Sequence, residues 1–458
     1  MGFRRTISVC LLLLTGCGES AGAPPNIVIF LADDLGWGDV GFHGSEIETP
    51  AIDQLAQEGL ELTAHYVQPV CSPTRAALLT GRYPIRYGFQ VGVVRPWSLS
   101  GLPTREVLLP ELLKRAGYTS HIVGKWHLGS AERAQLPTER GFDHHYGQYT
   151  GLIDYWTHER LGGLDWHRDG KPARDEGYST DLLREEATRI VREHDYAKPL
   201  FLYVPFSAPH FPLQAPDELI AHYGSKFESE DRRIYAAMVT SMDRAIGAVL
   251  SELEAAQQTE RTLVLFFSDN GALLAKGGSS ATLRGQKSDL YEGAVRSPTV
   301  IRWPGQIEAG ERLATPLHVT DWFPTIARLA GVASEAQIDG LDLTEHLTLR
   351  TPLAERTILL NTQRKQGALR EGRFKLIAFH HLRALAGREQ DPTFGLELYD
   401  LEADPEERVE LGSEHPELGK RLFEQLMAFH RVRSQPFEDH GMAPDDYVPP
   451  AVFGPPTD

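Results

Sequence analysis

The chain has 458 residues, with 46 Lys+Arg against 63 Asp+Glu and a formal net charge of −17. Hydrophobic content of 41% and charged content of 24% are ordinary for a folded globular protein and exclude global disorder. The acidic balance excludes nucleic acid or an anionic membrane surface as the main partner, because both need a basic footprint. The length suggests about three domains of roughly 150 residues, or one large α/β domain with a small companion.

At the N-terminus, Arg4-Arg5 precedes an apolar run from Ile7 to Leu14, which reads as a signal segment too short to span a bilayer. Leu14-Thr15-Gly16-Cys17 resembles a bacterial lipobox, with Ala21-Gly22-Ala23 as the competing cleavage site of an ordinary signal. The expectation is a lipoprotein signal peptide over 1–16, lipidation at Cys17 and a tether over 17–25. The mature chain is then exported, periplasmic or on the cell surface, and touches a membrane only through its lipid. Of the three cysteines only Cys71 lies beyond residue 17, which excludes a disulfide framework.

Asn26 to Leu31 is continuously apolar and reads as a strand buried on both faces. Thr49-Pro50 opens a helix that runs to about Gly59. Arg105 to Ala116 reads as a helix, Tyr118 to Val123 as a strand, Leu182 to Glu193 as a helix and Leu200 to Phe206 as a strand. A long helix over Asp231 to Ala256 leads to a second very apolar strand, Thr262 to Phe267. Pro298 to Trp303 is a short strand and Trp322 to Ala330 a helix. Strands alternating with helices predict a large α/β domain around a mostly parallel sheet, covering 26–355. Leu369 to His380 and Leu396 to Tyr399 read as antiparallel strands joined by a loop with Gly387 and Pro392, and Pro416 to Arg431 as an amphipathic helix. These predict a small α+β subdomain over 356–433. The proline-rich tail, 434–458, is expected to be draped over the surface or disordered.

The first apolar strand ends in Asp33-Asp34 and the second in Ser268-Asp269-Asn270-Gly271. Open α/β sheets place ligands at the carboxyl ends of their strands. Three carboxylates and an amide oxygen are hard donors suited to Ca²⁺ or Mg²⁺, although Asp and Asn also serve as turn residues after strands. Cys71-Ser72-Pro73-Thr74-Arg75 can open a helix with Ser72 as cap and Pro73 at its first position, running through Leu79 and ending near Gly81. Cys71 then stands at a helix N-terminus, a setting that favours an anion, rather than in an inert core position. His144-His145 and His380-His381 lack metal-ligand spacing and suit surface or turn roles; His158 is a candidate for the substrate rim.

Cys71-Ser72-Pro73-Thr74-Arg75, followed by Leu79-Thr80-Gly81-Arg82, resembles the C-x-P-x-R…L-T-G-R signature of the type I sulfatases, members of the alkaline phosphatase superfamily. Ala32 to Asp39 resembles the family's first metal motif, and Gly124-Lys125-Trp126-His127-Leu128-Gly129 its second signature. His210-Phe211-Pro212 and Leu283-Arg284-Gly285-Gln286-Lys287 supply the pocket histidine and lysine. The order of all five motifs agrees, and the resemblance spans roughly Asn26 to Phe429. Within the family, Thr80 to Gly88, Leu136 to Asp143 and Asp154 to Arg160 are most similar to the arylsulfatase B (N-acetylgalactosamine-4-sulfatase) branch. Thr74 stands where Ser is more usual, and Gln286 and Ser288 to Tyr291 depart from the common wording.

The resemblance implies the alkaline phosphatase-like fold and a Cys71 oxidised to formylglycine by a maturation enzyme. It implies one Ca²⁺ held by Asp33, Asp34, Asp269 and Asn270 with residue 71. One hydroxyl of the hydrated aldehyde attacks sulfur; the second lets sulfate leave, with His127 as base. Arg75 holds the formylglycine oxygen, Lys125 and Lys287 bind sulfate oxygens, and His210 is the acid for the leaving alcohol. The expected activity is an exo-sulfatase on a sulfated sugar or aryl sulfate, with GalNAc-4-sulfate of chondroitin or dermatan sulfate, or an algal sulfated galactan, as candidate substrates. Specificity is expected in Val91–Ser100, Gly147–Arg168 and the C-terminal subdomain. The alternatives are a formylglycine-dependent phosphodiester or phosphonate monoester hydrolase, and a non-catalytic sugar-binding lipoprotein with Cys71 unmodified. Asn270 weighs against the first, since phosphoester hydrolases of the superfamily usually carry a histidine there.

Overall fold

A computed structural model describes residues 23–362, 366–379, 395–437 and 441–456; Cys17, the His380-His381 pair and the loop with Gly387 and Pro392 lie outside them. Asn26–Ala32 is the central strand and is buried along its whole length. It pairs in parallel with Leu200–Pro205 on one side and Thr262–Ser268 on the other. Together these belong to a ten-stranded sheet in the order Glu311–Leu313, Leu60–Leu62, Thr299–Arg302, Thr262–Ser268, Asn26–Ala32, Leu200–Pro205, Thr119–Val123, His144–Gly147, His167–Arg168 and Lys171–Pro172. The middle is parallel, as expected. Thr299–Arg302 runs antiparallel to its neighbours, and so do the short strands after His144–Gly147.

The period-2 alternation of the central strand divides the core in two. Ile27, Ile29 and Leu31 pack with Ala76, Leu79, Trp322 and Phe323. Val28, Phe30 and Ala32 pack with Met238, Met242, Ile246 and Val249 of the long helix Glu230–Ala255. Each large apolar side chain among these, once buried, contributes roughly 1.5–3 kcal/mol, so the strands that carry the site are anchored in core on both faces.

Several boundaries move. The helix expected over 105–116 is confined to Leu109–Lys114. The segment expected as one strand over 369–380 is a hairpin, Gln366–Glu371 and Phe374–Phe379, turning at Gly372 with φ +55°. With Thr357–Thr362 and Leu396–Asp400 it forms a four-stranded antiparallel sheet. Helix Pro416–Arg431 covers one face through Leu422 and Leu426. The other face packs Ile358, Leu360 and Ile377 on Tyr66, Ala294 and Val295 of the large domain. A buried charge cluster closes that junction. Lys375 Nζ lies 2.9 Å from Glu292 Oε1 and 2.8 Å from Glu407 Oε1. The Tyr66 hydroxyl donates to Glu292 Oε2 at 2.7 Å, and the Glu292 N–H to Glu407 Oε2 at 2.6 Å.

The tail is draped where it is described. The Tyr447 hydroxyl donates to the Pro96 carbonyl at 3.2 Å. Val452 bridges Leu164 in parallel, with Leu164 N–H to Ala451 O at 3.0 Å and Phe453 N–H to Leu164 O at 2.9 Å. Among the described residues no helix is long and apolar enough to cross a membrane.

Candidate active site

The parallel register sets Ala32 opposite Ser268, so Asp33 and Asp269 leave their strands side by side. The Asp269 N–H donates to Ala32 O at 3.0 Å, which holds the two strand ends together. Asp34 then turns out with φ 62°, a left-handed conformation that costs a non-glycine residue on the order of 1–2 kcal/mol. Its N–H reaches Asp269 Oδ1 at 3.3 Å.

Cys71 is the first residue of helix Cys71–Thr80. The helix therefore starts earlier than expected, and Ser72 is not its cap: the Ser72 hydroxyl donates to His127 O at 2.9 Å and accepts from Val94 N–H at 3.1 Å. It ties the Cys71 helix to the two loops that flank it. Thr74 donates to Asp269 O at 2.6 Å, a bond that only a hydroxyl at this position can make. The Cys71 thiol, 1% exposed, donates to Asp33 Oδ1 at 3.3 Å and lies 3.9 Å from Asp34 Oδ1. Burial, and then the Asp269 and Asp33 charges, push it well above the usual thiol range, so it is a thiol rather than a thiolate.

Three cations face three carboxylates here. Lys125 pairs with Asp33 Oδ2. Lys287 Nζ donates to Asp34 Oδ1 at 2.5 Å and lies 3.3 Å from Cys71 Sγ. Arg75 donates to Asp269 Oδ2 through Nε at 3.1 Å and Nη2 at 2.8 Å, and to the Lys125 carbonyl at 3.0 Å. The guanidinium thus braces Asp269 and the loop that carries Lys125, and its hydrogen bonds do not go to Cys71. Burial alone would raise Asp33, but Lys125, His210, Arg75 and Lys287 hold it well below the usual carboxylate range. Asp269, with burial and the Asp33 charge against it, is pushed up to about 6.

Gly124, with φ +136°, presses against Pro205 O, where a Cβ would stand 2.0 Å away; only glycine lets this turn seat Lys125 between the strand ends. His127 Nε2 donates to Val94 O at 2.9 Å, which fixes the neutral tautomer and leaves Nδ1 as an acceptor, buried and without a partner. Burial, then Lys125 and Arg75, hold this imidazole well below its usual value. His210 Nδ1 donates to Phe211 O at 2.6 Å, and Nε2 faces Asp34 Oδ2 at 3.6 Å. Burial and then Lys287 lower His210 to about 4. Tyr155, which sequence reasoning missed, buttresses that loop by donating to Ser207 O at 2.7 Å and His210 O at 2.8 Å.

Asp33, Asp34, Cys71 and His210 bring ligand atoms within 4.8 Å of one another, all buried. Asn270 Nδ2 donates to Asp34 Oδ1 at 2.7 Å. Two oxygens at this spot, Asp34 Oδ2 and Asn270 Oδ1, are buried without a hydrogen-bond partner. Buried acceptors left open cost roughly 1–3 kcal/mol each. A hard cation satisfies both at once, so this donor set fits Ca²⁺.

A cavity of about 500 Å³ opens in front of Cys71 and includes His127, His210 and Lys287 in its wall. Val91 to Pro96, Gly151, Leu152 and Arg160 complete it, with Gln366 from the C-terminal subdomain; these are the loops in which specificity was expected. A larger hollow of about 730 Å³ lies beside Asp243 and Glu58, away from these residues. His158 does not reach the rim. It is buried, stacked on Trp166, with Nε2 3.1 Å from Gly177 O. His144 and His145 sit on a sheet strand rather than in a turn; His144 is bonded to Asp169 and Glu186.

The family model for sulfatases matches residues 25–332, and that for the C-terminal part of N-sulphoglucosamine sulphohydrolase matches 286–431. Arylsulfatase J of Mus musculus is 35% identical over 91% of this chain and 77% of its own length. N-acetylgalactosamine-6-sulfatase of Canis lupus familiaris is 38% identical over 73% of this chain and 68% of its own. Among solved structures, Ps i-CgsB in complex with k-i-k-neocarrahexaose superposes with a TM-score of 0.83, at 31% identity, over 91% of this chain and 95% of that one.

Proposed function

The chain belongs to the sulfatase family and is a sulfuric ester hydrolase, and from that premise we propose an exported exo-sulfatase that removes sulfate from a sulfated carbohydrate. In this reading Cys71 is converted to formylglycine by a maturation enzyme, one Ca²⁺ is bound, and Cys17 carries the lipid anchor. The observation that carries the reading is the pair of unpartnered oxygens, Asp34 Oδ2 and Asn270 Oδ1, buried beside Cys71 and three cations.

Asp33, Asp34, Asp269 and Asn270 would hold the ion next to residue 71, and when bound it supplies Lewis-acid charge for the attacking and sulfuryl oxygens. Formylglycine supplies two geminal hydroxyls in place of a thiol whose burial among carboxylates keeps it protonated and a poor nucleophile. The protein's own groups do the rest. Lys125 and Lys287 present ammonium groups to the sulfate oxygens, Lys287 from 3.3 Å off Cys71 Sγ. Arg75 keeps Asp269 oriented. His127 offers Nδ1 as the base, its tautomer fixed by Val94 O. His210, on the pocket wall, donates a proton to the leaving alcohol once the anionic sulfate beside it raises its affinity for one. The neocarrahexaose-bound relative favours an algal sulfated galactan over GalNAc-4-sulfate. Asn270 supplies a hard oxygen, which favours sulfatase over phosphoester chemistry.

The test is the mass of the Cys71 peptide from the native host, with aryl sulfate and aryl phosphate turnover measured before and after chelation. The expected result is an aldehyde trapped by a hydrazine reagent, sulfate turnover faster than phosphate turnover, and loss of both on chelating Ca²⁺. Faster phosphate turnover favours the phosphodiester or phosphonate hydrolase. A fully unmodified Cys71 with no turnover favours the sugar-binding lipoprotein.

A further inference from the structure

The Cys71 cavity has a second cationic feature that the sulfate chemistry does not use. Arg95 and Arg160 both line it, Arg95 exposed and Arg160 half-buried. Among the described residues neither makes an ion pair, although most other described arginines do. Arg160 Nε is buried without a hydrogen-bond partner. The nearest carboxylate by charge, Asp165, already accepts from Tyr149 N–H at 2.9 Å and Thr150 N–H at 2.8 Å. Burial works against the Arg160 charge, and the Arg95 charge beside it adds to the penalty. Two like charges kept together at a pocket wall, one with an open donor, are poised for an anion.

Arg160 is also held in place. It lies on the short hairpin Glu159–Arg160 and Gly163–Leu164. The tail clamps that hairpin at Leu164, and a Cβ on Gly163 would meet Pro450 O at 2.0 Å. The Tyr447 ring meanwhile packs on Trp97, 5.8 Å between centroids, beside the loop that carries Arg95. One segment therefore fixes both arginine loops. The remaining wall, with Val91, Leu152, Phe211 and Leu273, offers apolar surface for sugar rings.

We propose that Arg95 and Arg160 form a second anion subsite, and that the substrate carries, besides the sulfate ester to be cleaved, another anionic group, either a further sulfate ester or a uronate carboxylate. This rests on the sulfatase reading and narrows its substrate to polyanionic sugars. Bidentate guanidinium bonds to an oxyanion are worth enough to shift binding about tenfold or more.

The test compares oligosaccharides with one scissile sulfate and, in separate series, a second sulfate, a carboxylate or neither. The wild-type enzyme is expected to show kcat/KM at least about tenfold higher on one doubly anionic series, through KM, and the better series identifies the anion. Arg160→Gln loses that preference and Arg160→Lys recovers part of it, while both keep aryl sulfate turnover within about twofold. Equal wild-type turnover on all series, or an equal loss on aryl sulfate and sugar in Arg160→Gln, overturns the subsite. Binding to the Cys71→Ala chain separates this from the reading beneath it. A tenfold preference for the doubly anionic sugar there supports the subsite even where wild-type turnover fails, and no preference overturns it.

Discussion

Two of the buried charge clusters among the described residues differ in how completely they are satisfied. At the junction of the two sheets, both oxygens of Glu292 and Oε2 of Glu407 accept hydrogen bonds, and only Glu407 Oε1 is left without one, 2.8 Å from the Lys375 ammonium. Around Cys71, equal numbers of lysine or arginine cations and carboxylates converge, yet Asp34 Oδ2 and Asn270 Oδ1 are left open and His127 Nδ1 faces no donor. A cluster that only holds elements together spends nearly all its acceptors on its own donors. A cluster built for chemistry keeps acceptors free for something else, and tolerates the desolvation because the strands beneath it are so deeply packed.

The sharpest way to break the comparison is to neutralise one member of each cluster. Asp34→Asn should lower aryl sulfate turnover by about 10³-fold or more, on the scale of losing a main electrostatic group. It should leave the urea midpoint close to that of wild type, because the amide oxygen can still accept from Lys287. A destabilised Asp34→Asn protein would mean that the site cluster is structural as well. Lys375→Met should do the opposite. Removing the ammonium that lies between Glu292 and Glu407, with Arg296 still 3.7 Å from Glu292, should cost about 3–5 kcal/mol in urea denaturation, with turnover of the folded enzyme within about twofold of wild type.

The smallest effect concerns pH. Burial, and then the Glu292 charge, push Glu407 up to about 7 in spite of Lys375. Its pKa is raised on folding, so between about pH 4.5 and 7 the native state binds the extra proton. Stability should therefore fall as pH rises through that window, by at most about 1.4 kcal/mol per pH unit. Glu407→Gln should flatten that slope in urea titrations run across the window, and an unchanged slope would remove Glu407 as its source.

The site was more legible than the fold around it. Asp33-Asp34 and Asp269-Asn270 follow the two most apolar strands, and parallel register brings their ends together, so a local pattern sufficed. The helix at Cys71 was visible through Pro73, but its start was not, because Ser72 is drawn to His127 O and Val94 N–H, partners far away in sequence. The hairpin at Gly372 was merged into one strand because its turn, at Gly372-Arg373, is only two residues long. His158 looked accessible in a polar stretch, yet it is sealed under Trp166. Lys375, Glu292 and Glu407 left no mark, since nothing local to a lysine on a strand announces two distant glutamates. Arg160 lay inside a stretch already singled out, but its lack of an ion pair among the described residues is a property of three dimensions only.

The clamp at Leu164 bears on what a protease can do to the protein. Residues 447–453 hold the pocket-wall hairpin from outside the two main sheets, so a cut before Tyr447 unfastens the hairpin that carries Arg160 and leaves the Cys71 cluster assembled.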